Sequence, residues 1–332
     1  MTKQNRIHWV DYAKGIGIFL VVLGHVCRGL KLSSVLDPLF AASIDRWIYA
    51  FHMPIFFFLS GLLVKHSVSK PLKTFVIDKL KTLAYPYFVW SVIQGLLIYM
   101  TSHYTNSSIS LSNILGIIYQ PILIFWFFYV LFIISIFYKL ACDLKASSIH
   151  FLIFSLILYC LHLIQPPVIS WEVMDLVCRF TIYFALGAAI SDQLMPRLNQ
   201  ISVFTLISIT ISGFLAITAI VWLNLAENQL FVPLIAMIGV SATIALSILL
   251  EQFKFANFIK LWGLLSLQIY VAHTLCTSGT RVLLQNLFNF TNPFIHITLG
   301  TILGIYAPIA LNWLCQQGKF PYLFVFRSKS IA

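Results

Sequence analysis

Apolar runs of about membrane-spanning length recur along this chain, separated by short polar connections, and the first begins close to the N-terminus. About 20 apolar residues in a helix cross a bilayer. On that scale the runs predict spans near 10–30, 44–64, 83–101, 121–140, 149–164, 177–191, 202–223, 230–250, 261–279 and 294–315. The expected fold is all-α, a polytopic integral-membrane helical bundle of about ten transmembrane helices. There is no internal repeat and no polar stretch long enough for a soluble module, so residues 1–332 read as a single integral-membrane domain. The connection 101–113, rich in Ser, Thr and Asn, reads as an external loop.

Polar positions inside the apolar runs are few and patterned. His25 lies deep in the first run, with Lys14 eleven positions and Asp11 fourteen positions before it. Eleven residues of helix turn through about three revolutions and fourteen through just under four, so the three side chains share one face, with Lys14 and His25 about 16 Å apart along the axis. An ionisable group inside a spanning helix costs at least about 2–3 kcal/mol unless it meets a polar interior. A shared face therefore predicts a wet or paired channel. Asp11 and Lys14, three apart, are placed to neutralise one another. In the second run His52, Met53 and Pro54 predict a break at membrane depth, because proline leaves a carbonyl to be satisfied by neighbours or water. Tyr85, Pro86 and Tyr87 open the third run, where proline suits the start of a helix.

Composition fixes the class. With 60% hydrophobic and 9% charged residues, and a mean hydropathy of +0.92, there is too little polar surface to cover a soluble globule of this length. The net charge of +11 follows topology rather than a nucleic-acid partner. Starting from a cytoplasmic N-terminus, Lys3, Arg6, Lys65, Lys70, Lys73, Lys79, Lys81, Lys139, Lys145, Arg197, Lys254, Lys260, Lys319, Arg327 and Lys329 fall inside, and Arg28, Lys31, Arg46, Arg179 and Arg281 outside. This bias of roughly three to one predicts that both termini are cytoplasmic. Residues 65–81 carry five lysines against Asp78 alone, which suits lipid headgroups or a phosphorylated ligand. The six cysteines are scattered with no close pair, giving neither a metal site nor a disulfide framework. The basic leader is followed by Asp11 and Lys14 and by no small-residue cleavage site, so it reads as an uncleaved anchor.

The stretch Asp11-Tyr12-Ala13-Lys14-Gly15-Ile16 through Val22-Leu23-Gly24-His25 resembles the opening helix of the membrane acyltransferases called acyltransferase family 3, marked by a basic residue, ten intervening positions and a histidine. Four further segments resemble that family in order. They are Phe51-His52-Met53-Pro54-Ile55-Phe56-Phe57-Phe58-Leu59-Ser60-Gly61, then Asp78-Lys79-Leu80-Lys81-Thr82-Leu83 with Pro86-Tyr87 and Trp90, then Phe125-Trp126-Phe127, and finally Ser266 with Tyr270-Val271-Ala272-His273. Each match is modest alone, and the ordered set is what is specific. Two departures stand out: Lys14 occupies a place more often held by arginine, and Lys79 and Thr82 stand where the family often has two arginines three apart. Lysine keeps the charge but not the bidentate fork.

The resemblance implies a multi-pass enzyme of the bacterial inner membrane that moves an acetyl group from acetyl-CoA to a hydroxyl of a surface polysaccharide or a lipid-linked sugar, without a metal. It implies Lys14, Lys79, Lys81 and Trp126 as donor-binding residues, and His25 as general base or transient acyl carrier. Asp11, His52, Tyr270 and His273 are the candidates to line the same cavity. The acceptor glycan, membrane lipids and glycan-assembly proteins are the implied partners. The chain ends soon after the last run, which leads to the expectation of direct transfer or hand-over to a separate protein. Plainer roles stand beside these: snorkelling for Lys14, a helix-to-helix hydrogen bond for His25, close packing for Ser60-Gly61 and an ordinary membrane aromatic for Trp126. The competing class is a proton-coupled solute or acyl carrier, which also uses charged groups in broken helices.

Overall fold

The computed structural model describes residues 7–101, 109–166 and 171–326. The basic residues Lys3, Arg6, Arg327 and Lys329, and positions 102–108 of the expected external loop, lie outside the described residues. Within them every regular element is helical. Seven helices are long and apolar enough to cross a membrane: α1 (His8–Leu32), α4 (Leu72–Met100), the segment Leu111–Asp143 whose straight part is α5 (Trp126–Asp143), α7 (Glu172–Arg197), α8 (Val203–Trp222), α9 (Val232–Gln252) and α12 (Pro293–Gln317). The chain is thus a multi-pass helical membrane protein. Each of the seven covers one of the expected spans.

The other three expected spans are built differently. The run 149–164 is the shorter α6 (Ser148–Ile164). The run 261–279 is a bent pair, α10 (Asn257–Leu264) and α11 (Ser266–Leu287), meeting at 87° around Leu265. The run 44–64 is divided between α2 (Pro38–Tyr49) and α3 (His52–Leu62). That break falls at Ala50 and Phe51, not at Pro54, which stands in the first turn of α3, where its missing N–H leaves no helical bond unmade. Asp37 starts α2 by accepting the Phe40 amide at 2.8 Å, with Pro38 at the first helical position.

The basic segment before the third run is also helical. Pro71 precedes Leu72–Lys79, which passes through a π-turn at Leu80–Ala84 into Tyr85–Met100, so α4 is continuous. Pro86 supplies the reason for the π-turn: its nitrogen cannot donate to the Thr82 carbonyl, and the wider turn absorbs the lost bond.

The chain forms two compact units, residues 1–59 with 192–308, and residues 60–191 with 309–332. In the first unit α1 packs against α2, α9, α10 and α11, while α8 lies on α9 and α2. Helices α1 and α10 meet at glycines, the means by which membrane helices approach backbone to backbone. A Cβ at Gly263 would collide with the Asp11 carbonyl, and one at Gly15 with that of Ile259. Phe51, wholly buried in the break between α2 and α3, lies against Gly239 of α9. Trp47 fixes α2 to α8 through a 3.1 Å bond from Nε1 to Thr218 Oγ1. In the second unit Gly61 of α3 abuts the Phe184 carbonyl of α7, and Ser191 Oγ donates to the Leu62 carbonyl at 2.7 Å. The residues after α12 are held to α4 by Tyr85 Oη on the Tyr322 carbonyl at 2.6 Å and Trp90 Nε1 on that of Leu323 at 2.8 Å.

Gly263→Ala forces α1 and α10 apart and is expected to destabilise the protein by about 1–3 kcal/mol, an overpacking penalty. Gly279→Ala, where nothing lies within 4 Å of the new Cβ, is expected to be neutral or to stabilise by about 0.5–1 kcal/mol. Thermal unfolding of the full-length protein in detergent checks both; equal midpoints would show that the glycine contact does not hold the helices together.

Candidate functional site

The continuous α1 places Asp11, Lys14 and His25 on a common face, with Arg28 and Gly29 continuing it about one turn beyond His25. Asp11 is buried and Lys14 half-buried, and each has an interacting neighbour. His25 is half-buried. Its ring faces that of His273 on α11, with centroids 5.1 Å apart and planes tilted by 54°. His273, Arg28 and His52 all lie within electrostatic reach of His25.

Backbone carbonyls fix the tautomers of two of these histidines. His273 is 0% exposed, and its Nδ1 lies 2.8 Å from the Tyr270 carbonyl and 3.1 Å from that of Ile269. A carbonyl only accepts, so the hydrogen is on Nδ1 and Nε2 carries the lone pair. That Nε2 is buried with no hydrogen-bond partner. His52, equally buried, uses Nδ1 in the same way on the Ile48 carbonyl at 2.9 Å. The accepting carbonyl is about one turn back along the chain in both cases, and for His52 it belongs to the end of α2, across the break. Tyr270 is buried with its ring 6.1 Å from that of His273.

A second cluster lies one turn along α1. Arg28 grips Asp45 of α2 with both arms, Nη2 to Oδ2 at 3.0 Å and Nε to Oδ1, a bidentate geometry. Its guanidinium carbon stands 3.4 Å over the centroid of Tyr49, a cation–π contact. Tyr49 in turn meets His52 edge-on at 4.3 Å. The chain Asp45–Arg28–Tyr49–His52 therefore ties α2 and the start of α3 to α1. Alongside, a small recess is lined by His25, Gly29, Thr277, Ser278, Arg281 and His296, among others.

Of the residues singled out from the sequence, Asp11, Lys14, His25, His52, Tyr270 and His273 belong to the first unit. Among them His25 and His273, and Tyr270 and His273, are in ring contact. Lys79, Lys81 and Trp126 belong to the second unit. There Lys79 Nζ stands 5.3 Å over the Phe75 ring, Lys81 Nζ stands 5.8 Å over that of Phe326, and Trp126 packs on Phe180 with centroids 5.1 Å apart. Arg28, Asp45, Tyr49, Arg281 and His296 escaped the sequence reading as site residues. Helical spacing held a signal for two of them: Arg28 is three residues after His25, and Arg281 is eight after His273, both near the same face as the histidine. Among the described residues no group of three or more His, Cys, Asp or Glu side chains is arranged to hold a metal ion.

No solved structure matches this chain. Over 153 residues it is 28% identical to the nodulation protein NolL of Mesorhizobium japonicum, a match covering 44% of this chain and 39% of that relative. The chain thus spans well under two thirds of the relative's length. The profile of the acyltransferase 3 family, described as an acyltransferase domain, matches residues 7–313, from the start of α1 to near the end of α12, and with that coverage the chain belongs to this family of acyltransferases.

Proposed function

We propose that this membrane acyltransferase is an O-acetyltransferase that moves an acetyl group from cytoplasmic acetyl-CoA to a hydroxyl of a cell-surface polysaccharide or lipid-linked sugar in the bacterial inner membrane. The observation that carries this reading is His25 facing His273 beside an open recess, on the same helix face as Lys14 and about 16 Å beyond it. One end of that face offers a cation to an anionic donor and the other offers imidazole nitrogens to a hydroxyl. With both termini in the cytoplasm and ten passes, counting α6, the α2–α3 pair and the α10–α11 pair as one span each, the Lys14 end is cytoplasmic and the recess opens outward. Residues 1–332 then form one acyltransferase domain.

In the direct route His25 takes the proton of the acceptor hydroxyl as its oxygen attacks the thioester carbon. The carbon–sulfur bond breaks, and the proton passes from His25 to the departing coenzyme A thiolate. In the two-step route His25 itself attacks, releasing coenzyme A and forming an acyl-imidazole, which the acceptor hydroxyl then opens. His273 Nε2, a lone pair with no partner beside His25, receives a hydrogen bond from the acceptor hydroxyl or from the His25 ring and so orients the reacting pair. His52 and Tyr270 shape the wall behind them, and Asp11 balances the charge of Lys14. Lys14 guides the donor, while Lys79 and Lys81 supply the positive field for its phosphates, with Trp126 as the aromatic contact of the donor.

A carrier is the second reading, favoured by the 87° break between α10 and α11, since broken helices are a carrier device. Inverted vesicles bearing the protein, with labelled acetyl-CoA outside and surface glycan inside, separate the two. Native protein is expected to label the glycan, and His25→Ala to lower the rate by about 100-fold to 10,000-fold, the range of a lost general base. Unchanged transfer by the variant would remove His25 from the chemistry, and solute or acyl passage without esterified glycan would favour the carrier.

Lys14→Met is expected to raise the KM for acetyl-CoA at least tenfold with a smaller change in kcat, the mark of a group that binds rather than reacts. Lys14→Arg is expected to restore binding. A KM indifferent to the charge at position 14 would leave it a snorkelling anchor.

A further inference from the structure

We propose that Arg179 and Tyr183 of α7, with the His162–Asp175 pair that joins α6 to α7, form a binding site for the phosphoryl group of a membrane lipid. The site is built wholly within the second unit, and it stands or falls apart from the acyl-transfer reading.

Arg179 is half-buried on a helix long and apolar enough to span a membrane, where a charge costs at least about 2–3 kcal/mol unless something receives it. Several other cations of the protein are received by hydrogen bonds: Arg28 donates to Asp45, Arg46 to Asn224 and Lys139 to Asp143. The guanidinium carbon of Arg179 stands 5.4 Å over the centroid of the Phe180 ring, and no described residue accepts a hydrogen bond from its nitrogens. Its planar fork of N–H donors is left for a ligand, and that fork matches the paired oxygens of a phosphate.

Asp175 stands four residues before Arg179, a spacing at which an acid and an arginine pair on a helix. It is already engaged. Its Oδ1 lies 2.6 Å from Nδ1 of His162 on α6, and His162 is 6% exposed. The histidine draws the carboxylate toward α6 and leaves the guanidinium uncommitted. Four residues after Arg179, Tyr183 is 1% exposed and within electrostatic reach of it. Its hydroxyl gives the same anion a second donor from the same helix face.

Depth selects a lipid as the source of the phosphate. The 26 residues of α7 extend about 39 Å, some 9 Å more than the hydrocarbon core. With the helix centred, the backbone of Arg179 lies about 6 Å inside the hydrocarbon boundary. A long arginine side chain spans that distance and carries its head to the level of lipid phosphates.

The test follows the unfolding midpoint of the full-length protein in dodecyl maltoside as lipids are added in matched pairs, farnesyl phosphate with farnesol and dioctanoyl phosphatidylglycerol with dioctanoylglycerol. The phosphorylated member is expected to stabilise saturably, at a concentration at least tenfold below that needed by its neutral counterpart. A preference for dioctanoyl phosphatidylglycerol assigns the site to bulk lipid, and a preference for farnesyl phosphate to an isoprenyl carrier; either upholds it. Arg179→Gln is expected to weaken the phosphorylated lipids about tenfold or more, the scale of a lost hydrogen bond to a charged group, without changing the neutral ones, and Arg179→Lys to restore part of the difference. His162→Leu is expected to weaken them severalfold by releasing Asp175 to Arg179, and adding Asp175→Asn to restore them, a recovery that a merely structural pair would not give. The midpoint of each unliganded variant reports its folding; should Arg179→Gln fail to fold, Arg179→Lys and Tyr183→Phe, compared with the native protein on the same lipid pairs, carry the result. Equal stabilisation by phosphorylated and neutral lipids, or binding undiminished in Arg179→Gln, would overturn the proposal. So would inorganic phosphate acting as well as either lipid, which would give the site to a soluble anion. With no acyl donor present, none of these outcomes bears on whether His25 transfers an acyl group.

Discussion

Ionisable side chains inside a spanning helix each cost at least about 2–3 kcal/mol unless the surroundings receive them, and the face of α1 carries Asp11, Lys14, His25 and Arg28. Much of the first unit can be understood as the surroundings that this requires. Toward the start of α1, glycines at positions 15 and 263 let α10 approach until side chain and backbone are nearly in contact, which closes the helix against lipid where Asp11 is buried. Further along, α2 supplies Asp45 and Tyr49 to Arg28, so the cation meets a carboxylate on one side and an aromatic face on the other. Around His25 the protein does neither. It leaves a small recess and a second imidazole.

The two helix breaks serve the same end. An unbroken helix satisfies its carbonyls internally and presents only side chains. Where α2 stops and α3 starts, carbonyls and a change of direction become available, and His52 takes up the Ile48 carbonyl. In α11 His273 leans back on its own first turns just beyond the bend at Leu265. Both bonds consume the Nδ1 hydrogen, so both rings are held as acceptors at Nε2. The proposed proton transfer from a hydroxyl needs imidazoles in that tautomer before the substrate arrives, and backbone carbonyls impose it without introducing a charge.

The spacing of Asp11, Lys14 and His25 was legible because an uninterrupted helix has a fixed period, and α1 is uninterrupted from His8 to Leu32. His52, Tyr270 and His273 were legible only as members of an ordered motif set, since period alone says nothing about which helices meet. Asp45 and Tyr49 were hidden because they act from α2, a separate helix that ends at a break at Ala50 and Phe51 that no proline marks. Arg281 was read as topology, one positive charge counted outside a span, because a charge count ignores which face of the helix carries it. His296 stands near the start of the last apolar run, and nothing local separates it from an interfacial histidine. The lysine-rich stretch before the third run was read as a polar connection, yet α4 begins at Leu72, because spaced lysines are good helix formers and the π-turn admits Pro86.

That same turn bears on the proposed binding of an anionic donor by Lys79 and Lys81. Thr82, in the place where a second arginine would complete a pair with position 79, spends its hydroxyl on the Asp78 carbonyl at 2.8 Å, a bond within its own helix. It offers no hydrogen to a phosphate in that rotamer. Lys70 is engaged by Asp78 at 2.6 Å, while Lys79 and Lys81 rest their ammonium groups over aromatic rings. A cation–π contact is weaker than a hydrogen-bonded ion pair and can be exchanged for a phosphate at small cost. Lys79 and Lys81 are therefore separate point charges with soft partners, not a rigid fork, and in the proposed function selectivity for the donor falls to groups that touch its other parts. On α1 the same substitution of lysine for arginine at position 14 places a compact cation on a flexible stem, which in the proposed function reaches the donor by length and charge and leaves the geometry of transfer to His25.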